Sequence, residues 1–353
     1  MKDIVMTRVQ KYYVYLFCSL IGTFLSERAL YGEAVPVGDY GSILQETPYY
    51  FTNAFLETVV IYAREDASSV KTIPRKGILL RNKKAKATII ICHGFMCEKE
   101  DVAFLRHLFP KSQYNILVFD FRAHGEHREQ QFCTFGRDEA YDVIAAAHFV
   151  RNHPQLKGKP VFIYGFSMGA VAAIEAQAKD TRVADAMILD CPFDSSENVI
   201  KKGLERLKVS IFGYEFEIPG KRWLERYAFH PYVQAMVKVV LKTVAHLDTQ
   251  NIQTNICPLY PSESIKKVTV PCFFIHCKND EKVPLGSVKT IYQGATGYKR
   301  LWITKGRRHY DSFFSNPEKY KIEIREFLEK VQDGSIVKEE QEKVIEDVDD
   351  KTL

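Results

Sequence analysis

Six short apolar runs constrain the fold of this chain most: "KATIIICHG" (86–94), "YNILVFDFR" (114–122), "PVFIYGFS" (160–167), "DAMILDCPF" (185–193), "CFFIHCKND" (272–280) and "RLWITKG" (300–306). Each is nearly continuous in apolar, often β-branched or aromatic residues, the pattern of a parallel strand buried on both faces. Between them lie stretches with helical spacing: "EDVAFLRHLF", "DEAYDVIAAAHFVRNH", "SMGAVAAIEAQAK", "LGSVKTIYQ" and "NPEKYKIEIREFLEKV". The last opens with Asn316 as a cap and Pro317 in the first turn, a sound helix start. Strand and helix in alternation predict an α/β protein with a mostly parallel, doubly wound sheet. Two earlier runs, "TVVIYARED" (58–66) and "KGILLRN" (76–82), have no helix between them and predict an antiparallel N-terminal part.

The alternation breaks once, between the fourth and fifth parallel strands, at residues 194–267. Val233, Met236, Val237, Val240, Leu241, Val244 and Leu247 fall there at helical spacing. A structureless loop of that length is improbable, so the segment is expected to be a helical cap insertion over the strand ends. The core is then split into residues 50–193 and 268–332.

"YGFSMGA" raises the chemical question, because it puts Ser167 between Gly165 and Gly169 where a strand should turn into a helix. A buried hydroxyl must find a partner or lose its hydrogen bonding with water. A G-x-S-x-G turn gives it another use: strained backbone presents the hydroxyl at the sheet edge, and glycines let strand and helix approach. The N–H of Met168 then opens the helix, where the dipole favours a developing negative charge.

A serine hydroxyl is a weak nucleophile and needs a base, which needs an acid to hold its tautomer. Asp280 closes "FFIHCKND" just past one strand, and His309 closes "LWITKGRRH" past the last. Asp190 and Asp194 flank the end of the preceding strand and are the competing acids. His276 lies inside a strand run, as a core or edge histidine would. A second donor for an oxyanion is expected from "HGFM", where Gly94 lets the chain turn so that the N–H of Phe95 faces the pocket, with Met96 as the alternative. His93 is expected to shape that loop.

Lys2, Arg8 and Lys11 precede the uncharged run "YYVYLFCSLIGTFL" (12–25), followed by a polar "SER" and by Gly32 and Ala34 at the spacing of a small-residue cleavage site. Residues 1–34 are therefore expected to be a signal peptide or a membrane anchor, so the chain would be exported or membrane-associated. The eight cysteines (18, 92, 97, 133, 191, 257, 272 and 277) show neither a CxxC pair nor a zinc-type spacing. Several sit in strand runs as small hydrophobes, which argues instead for a reducing, cytoplasmic compartment. The net charge of +5 hides eight acidic against three basic side chains in residues 333–353, read as an acidic flexible tail. The body has no basic cluster interleaved with aromatics, which argues against a nucleic-acid surface.

The blocks "HGFMCEKED", "DFRAHGEH", "YGFSMGA", "PCFFIHCKNDEKVP" and "KGRRHYDSFFSNPEKYKIEIREFL" resemble the α/β-hydrolase superfamily, in particular the capped serine esterases, lipases and serine aminopeptidase-like hydrolases. The resemblance covers about residues 55–332. It implies an α/β-hydrolase fold, an acyl-enzyme on Ser167, His309 as base and then acid, Asp280 as its orienting acid, Phe95 and Met168 as the oxyanion hole, and no metal or organic cofactor. It leaves the substrate open. An ester or acyl compound with an apolar part held under the cap is the leading expectation. Peptidase or acyltransferase action by the same residues is the alternative, and a catalytically inactive binding protein on the same fold comes third. Arg307 and Arg308, directly before His309, depart from the small or apolar residue usual there.

Overall fold

A computed structural model describes residues 55–347 apart from 111, 126–130, 207, 212–213, 218–225, 228, 231, 233–253, 307, 310 and 339–341. Residues 1–34, the helical pattern beginning at Val233, and Arg307 thus lie outside the described residues.

Strands β1 (Phe55–Arg64) and β2 (Thr72–Arg81) form the antiparallel start. The parallel part follows with β3 (Ala87–Cys92), β4 (Tyr114–Phe119), β5 (Val161–Phe166) and β6 (Ala186–Asp190). A separate antiparallel hairpin, β7 (Lys208–Ile211) and β8 (Tyr214–Glu217), intervenes before β9 (Cys272–Cys277), β10 (Lys299–Thr304) and β11 (Glu342–Glu346). The main sheet runs β1-β2-β4-β3-β5-β6-β9-β10-β11. Only the β1–β2 and β2–β4 pairings in it are antiparallel. The expected α/β-hydrolase architecture, mostly parallel with an antiparallel start, is what the chain adopts.

The strand runs lack polar alternation because both faces are covered. Ile90 and Cys92 of β3 point into one apolar cluster, with α1 (Glu139–Asn152), α2 (Met168–Lys179) and α4 (Leu285–Gly294). Ile89 and Ile91 point into the other, with α5 (Pro317–Asp333). Helix α5 starts as read: the Asn316 side chain accepts the Lys319 N–H at 3.0 Å, with Pro317 in the first turn. The stretch "EDVAFLRHLF" yields less helix than its spacing predicts, a 3-10 segment at Ala103–Leu108.

Residues 194–267 differ from a purely helical insertion. They open with α3 (Ser196–Arg206), continue into the β7–β8 hairpin, and return through a short helix at Pro261–Ser264. Their two ends are pinned together: Ser196 N–H donates to Leu259 O, and Leu259 N–H to Ser196 Oγ, each at 3.0 Å. The acidic tail is also partly built into the fold. After Gly334, which ends α5 in the left-handed region (φ 72°), β11 pairs parallel with β10. Asp347 accepts from the Trp302 indole at 3.2 Å and pairs with Lys319. An edge strand offers unpaired N–H and C=O groups to any extended segment, and a Val-Ile pair amid charge suffices to take them. Among the described residues, no helix is long and apolar enough to cross a membrane.

Candidate active site

The C-terminal ends of β3, β5, β6, β9 and β10 deliver the site residues to one edge of the sheet, where ligands of open α/β sheets bind. Ser167 stands between β5 and α2 with φ 52° and ψ −116°, a conformation L-residues rarely occupy. The surroundings hold it there. Ser167 N–H donates to Asp190 O on β6 at 2.8 Å. A Cβ on Gly169 would lie 2.2 Å from Cys92 O and 2.5 Å from His93 O, and one on Gly165 would lie 2.6 Å from Ala170 Cα. Both glycines are thus required by backbone that passes too close for any side chain.

His309 connects the remaining pieces. Its Nε2 is 2.7 Å from Ser167 Oγ, and its Nδ1 is 2.7 Å from Asp280 Oδ2. Asp280 Oδ1 accepts the backbone N–H groups of Lys282 (2.8 Å) and Val283 (2.9 Å), so both carboxylate oxygens have assigned partners. Burial pushes the Asp280 carboxyl up. The hydrogen bond and charge of His309, the Val283 N–H and His276 outweigh it and hold the group below the ordinary carboxylate range. An ionised Asp280 fixes the tautomer with Nδ1–H toward itself and leaves Nε2 free to accept a proton from Ser167.

The competing acids sit elsewhere. Asp190 is buried, takes the Tyr320 hydroxyl at 2.6 Å and the Cys191 thiol at 3.1 Å, and lies within 3.4 Å of the Tyr164 hydroxyl. Burial pushes its carboxyl up to about 6, against those hydrogen bonds and the His309 charge. Asp194 accepts from the Asn198 side chain at 2.8 Å, at the start of α3. His276 is fully buried, as a core histidine would be, and bonds Val283 O at 3.0 Å, but its Nε2 also comes within 3.9 Å of Asp280 Oδ2. Arg308 is exposed, and its N–H bonds Asp311.

The loop after β3 is shaped by two histidines. His93 donates from Nδ1 to Gly94 O at 2.8 Å and accepts the Phe121 N–H on Nε2 at 3.0 Å. Burial and the neighbouring His124 push it down to about 3, so it is a neutral structural group. Met96 has φ 65°, and its N–H donates to His124 Nε2 at 3.3 Å. The Met96 N–H thus already has an acceptor, and the neighbouring Phe95 ring packs on Phe135 with centroids 4.7 Å apart. Met168 occupies the first position of α2, where a helix has no intrahelical acceptor for its N–H.

Sequence reasoning missed the supports around these residues: Tyr320 and Tyr164 on Asp190, His124 on Met96, and Asp142, which binds both Arg75 and Arg122 in the interior. It also missed that Cys191, at φ 52°, brings its thiol close to Asp280 and His309. Among the described residues, Cys191, Asp280 and His309 form a buried set whose donor atoms all lie within 4.8 Å of one another.

Residues 89–321, more than half of the chain, match the model of the alpha/beta hydrolase family, and the chain belongs to that family. Membership supports a hydrolase activity. A relative of no assigned function, YqkD of Bacillus subtilis strain 168, is 28% identical over 251 residues, covering 70% of this chain and 73% of its own. Among solved structures, the Pyrococcus furiosus esterase Pf2001 is similar with a TM-score of 0.58 at 21% identity, covering 78% of this chain and 91% of that one. A 2,6-dihydroxy-pseudo-oxynicotine hydrolase has a TM-score of 0.54 at 18% identity, covering 82% and 71%. These structural likenesses concern the fold.

Proposed function

We propose that the protein is a serine hydrolase that cleaves a carboxylic ester through an acyl-enzyme on Ser167. The observation that carries this reading is the unbroken relay from Ser167 Oγ through His309 to Asp280, 2.7 Å at each step, at a strained strand-to-helix turn. Ser167 Oγ attacks the ester carbonyl carbon while His309 Nε2 takes its proton, and Asp280 stabilises the resulting imidazolium. The N–H groups of Phe95 and Met168 receive the oxyanion, a contribution worth about 10²–10³ in rate per donor. Collapse expels the alcohol, which takes the proton from His309. Water, deprotonated by the same nitrogen, then releases the acid and restores the serine hydroxyl.

Residues 194–267 serve as the cap, anchored at both ends beside β6, and hold an apolar part of a small-molecule substrate. Tyr12–Leu25 exports the chain or holds it at a membrane. Acyltransferase action uses the same residues with another acceptor and peptidase action with another leaving group; the preference for water rests on the family's hydrolase character.

Initial rates on short-chain p-nitrophenyl esters and matching anilides test the proposal. The wild-type chain is expected to turn over the esters well ahead of the anilides, with Ser167→Ala folded by circular dichroism yet close to background. Near-normal turnover by folded Ser167→Ala would overturn the assignment, and faster anilide than ester cleavage would make the enzyme a peptidase.

A further inference from the structure

Beneath His309 lies a thiol that the hydrolytic steps do not use. Cys191 follows β6 and, held at φ 52°, brings Sγ within 4.8 Å of donor atoms of both Asp280 and His309, with all three residues buried. Cys191 also touches two further groups: its thiol donates to Asp190 Oδ1 at 3.1 Å and stands in side-chain contact with Cys277 at the end of β9. Sulfur, imidazole nitrogen and carboxylate oxygen are the donor types that zinc takes in three-ligand sites with one open position. Zinc bonds of about 2.0–2.3 Å place ligand atoms about 3.5 Å apart, so the set needs movements of about 1 Å or less. One thiolate with one carboxylate neutralises a dication, and the cation must offset the burial, the Cys277 contact and the flanking carboxyls that hold the Cys191 thiol protonated.

From this geometry we infer that Cys191, Asp280 and His309 form an inhibitory site for a soft divalent cation of the zinc class. Binding breaks the Cys191 S–H bond, releases its proton to water and forms a metal–thiolate bond. His309 stays neutral, but its proton moves from Nδ1, which now binds the metal, to Nε2. That nitrogen then donates to Ser167 Oγ instead of accepting its proton, and the relay is reversed. Asp280 Oδ2 exchanges the Nδ1–H for the metal and keeps its two backbone bonds through Oδ1. Ser167 is half-buried, His309 is 8% exposed and Cys191 is fully buried, so entry of the ion requires the His309 ring to move aside.

The test has an optical readout and a kinetic one on the full chain. Co²⁺ titrated into chelator-treated protein is expected to bind once per chain with a near-ultraviolet thiolate-to-cobalt band, and that band requires no enzymatic activity. Zn²⁺ is expected to inhibit ester hydrolysis reversibly, with recovery on adding EDTA. Cys191→Ala is expected to hydrolyse esters like wild type, lose the cobalt band, and need at least about tenfold more Zn²⁺ for half-inhibition. Cys191→Ser, which keeps a side chain of similar size, is expected to do the same and covers any folding failure of the alanine variant. A cobalt band that survives in either folded variant, equal Zn²⁺ inhibition in wild type and variants, or the absence of a thiolate band in wild type would overturn the inference. Absent ester turnover with a Cys191-dependent cobalt band would instead count against the hydrolase assignment alone.

Discussion

Asp280→Asn separates an orienting acid from a merely adjacent one, and the outcome follows from the hydrogen bonds. Asp280 Oδ1 accepts two backbone N–H groups, from Lys282 and Val283. Asparagine keeps both only by placing its carbonyl oxygen there, which turns its NH2 toward His309 Nδ1. An NH2 group donates, so Nδ1 must accept, and the neutral ring carries its proton on Nε2. The Nε2–H then points at Ser167 Oγ and cannot take the serine proton. In serine proteases that use this relay the same change costs about 10⁴ in kcat, or about 5.5 kcal/mol at the transition state. Stability should hardly move, because shape and backbone bonds are kept. Steady-state ester hydrolysis with thermal melting reads both, and Asp190→Asn is the control, since Asp190 bonds Tyr320 and Cys191 and should cost far less activity. A loss below about tenfold in Asp280→Asn with an unchanged melt, or a larger loss in Asp190→Asn, would refute the reasoning.

One further substitution probes the packing around the turn. Gly169→Ala drives a Cβ to 2.2 Å from Cys92 O, against backbone of a central strand. It is expected to destabilise by about 3 kcal/mol in urea titration, and a shift below about 1 kcal/mol would contradict the close approach. Asp190→Asn tests the raised carboxyl. An acid pushed up to about 6 in the fold, against about 3.9 unfolded, makes the native state bind more protons between those values, so its contribution falls as pH rises from about 4 to 6 and is level above. Relative to wild type, the variant should therefore gain about 2 kcal/mol between pH 4 and pH 7, and a pH-independent difference would show that Asp190 titrates normally.

What could be read in advance divides along physical lines. Ser167, Asp280 and His309 each close an apolar run, and parallel strands buried on both faces must deliver their C-terminal ends to one sheet edge, so motif and topology together brought the three to one place. Gly165 and Gly169 were legible because nothing but hydrogen fits where strand and helix cross. The supports were not. Tyr320 lies 130 residues from Asp190, and no periodicity marks that pairing. Cys191 and Cys277 become neighbours only because β6 pairs with β9 across the insertion. A metal-type set assembled from the ends of three strands leaves no short spacing to find. Strand β11 was hidden for another reason: parallel edge pairing is made by backbone groups, which an acidic stretch possesses as fully as an apolar one. The acceptor of the Met96 N–H, His124, lies 28 residues away on another loop, and no spacing marks it.

The most direct test of the central claim is intact-mass spectrometry of the purified chain before and after a fluorophosphonate, with the adduct mapped by peptide sequencing. The account predicts one adduct per chain, on Ser167, that fails to form in folded His309→Ala. An adduct on another residue, equal labelling without His309, or no adduct on folded wild-type protein would contradict it.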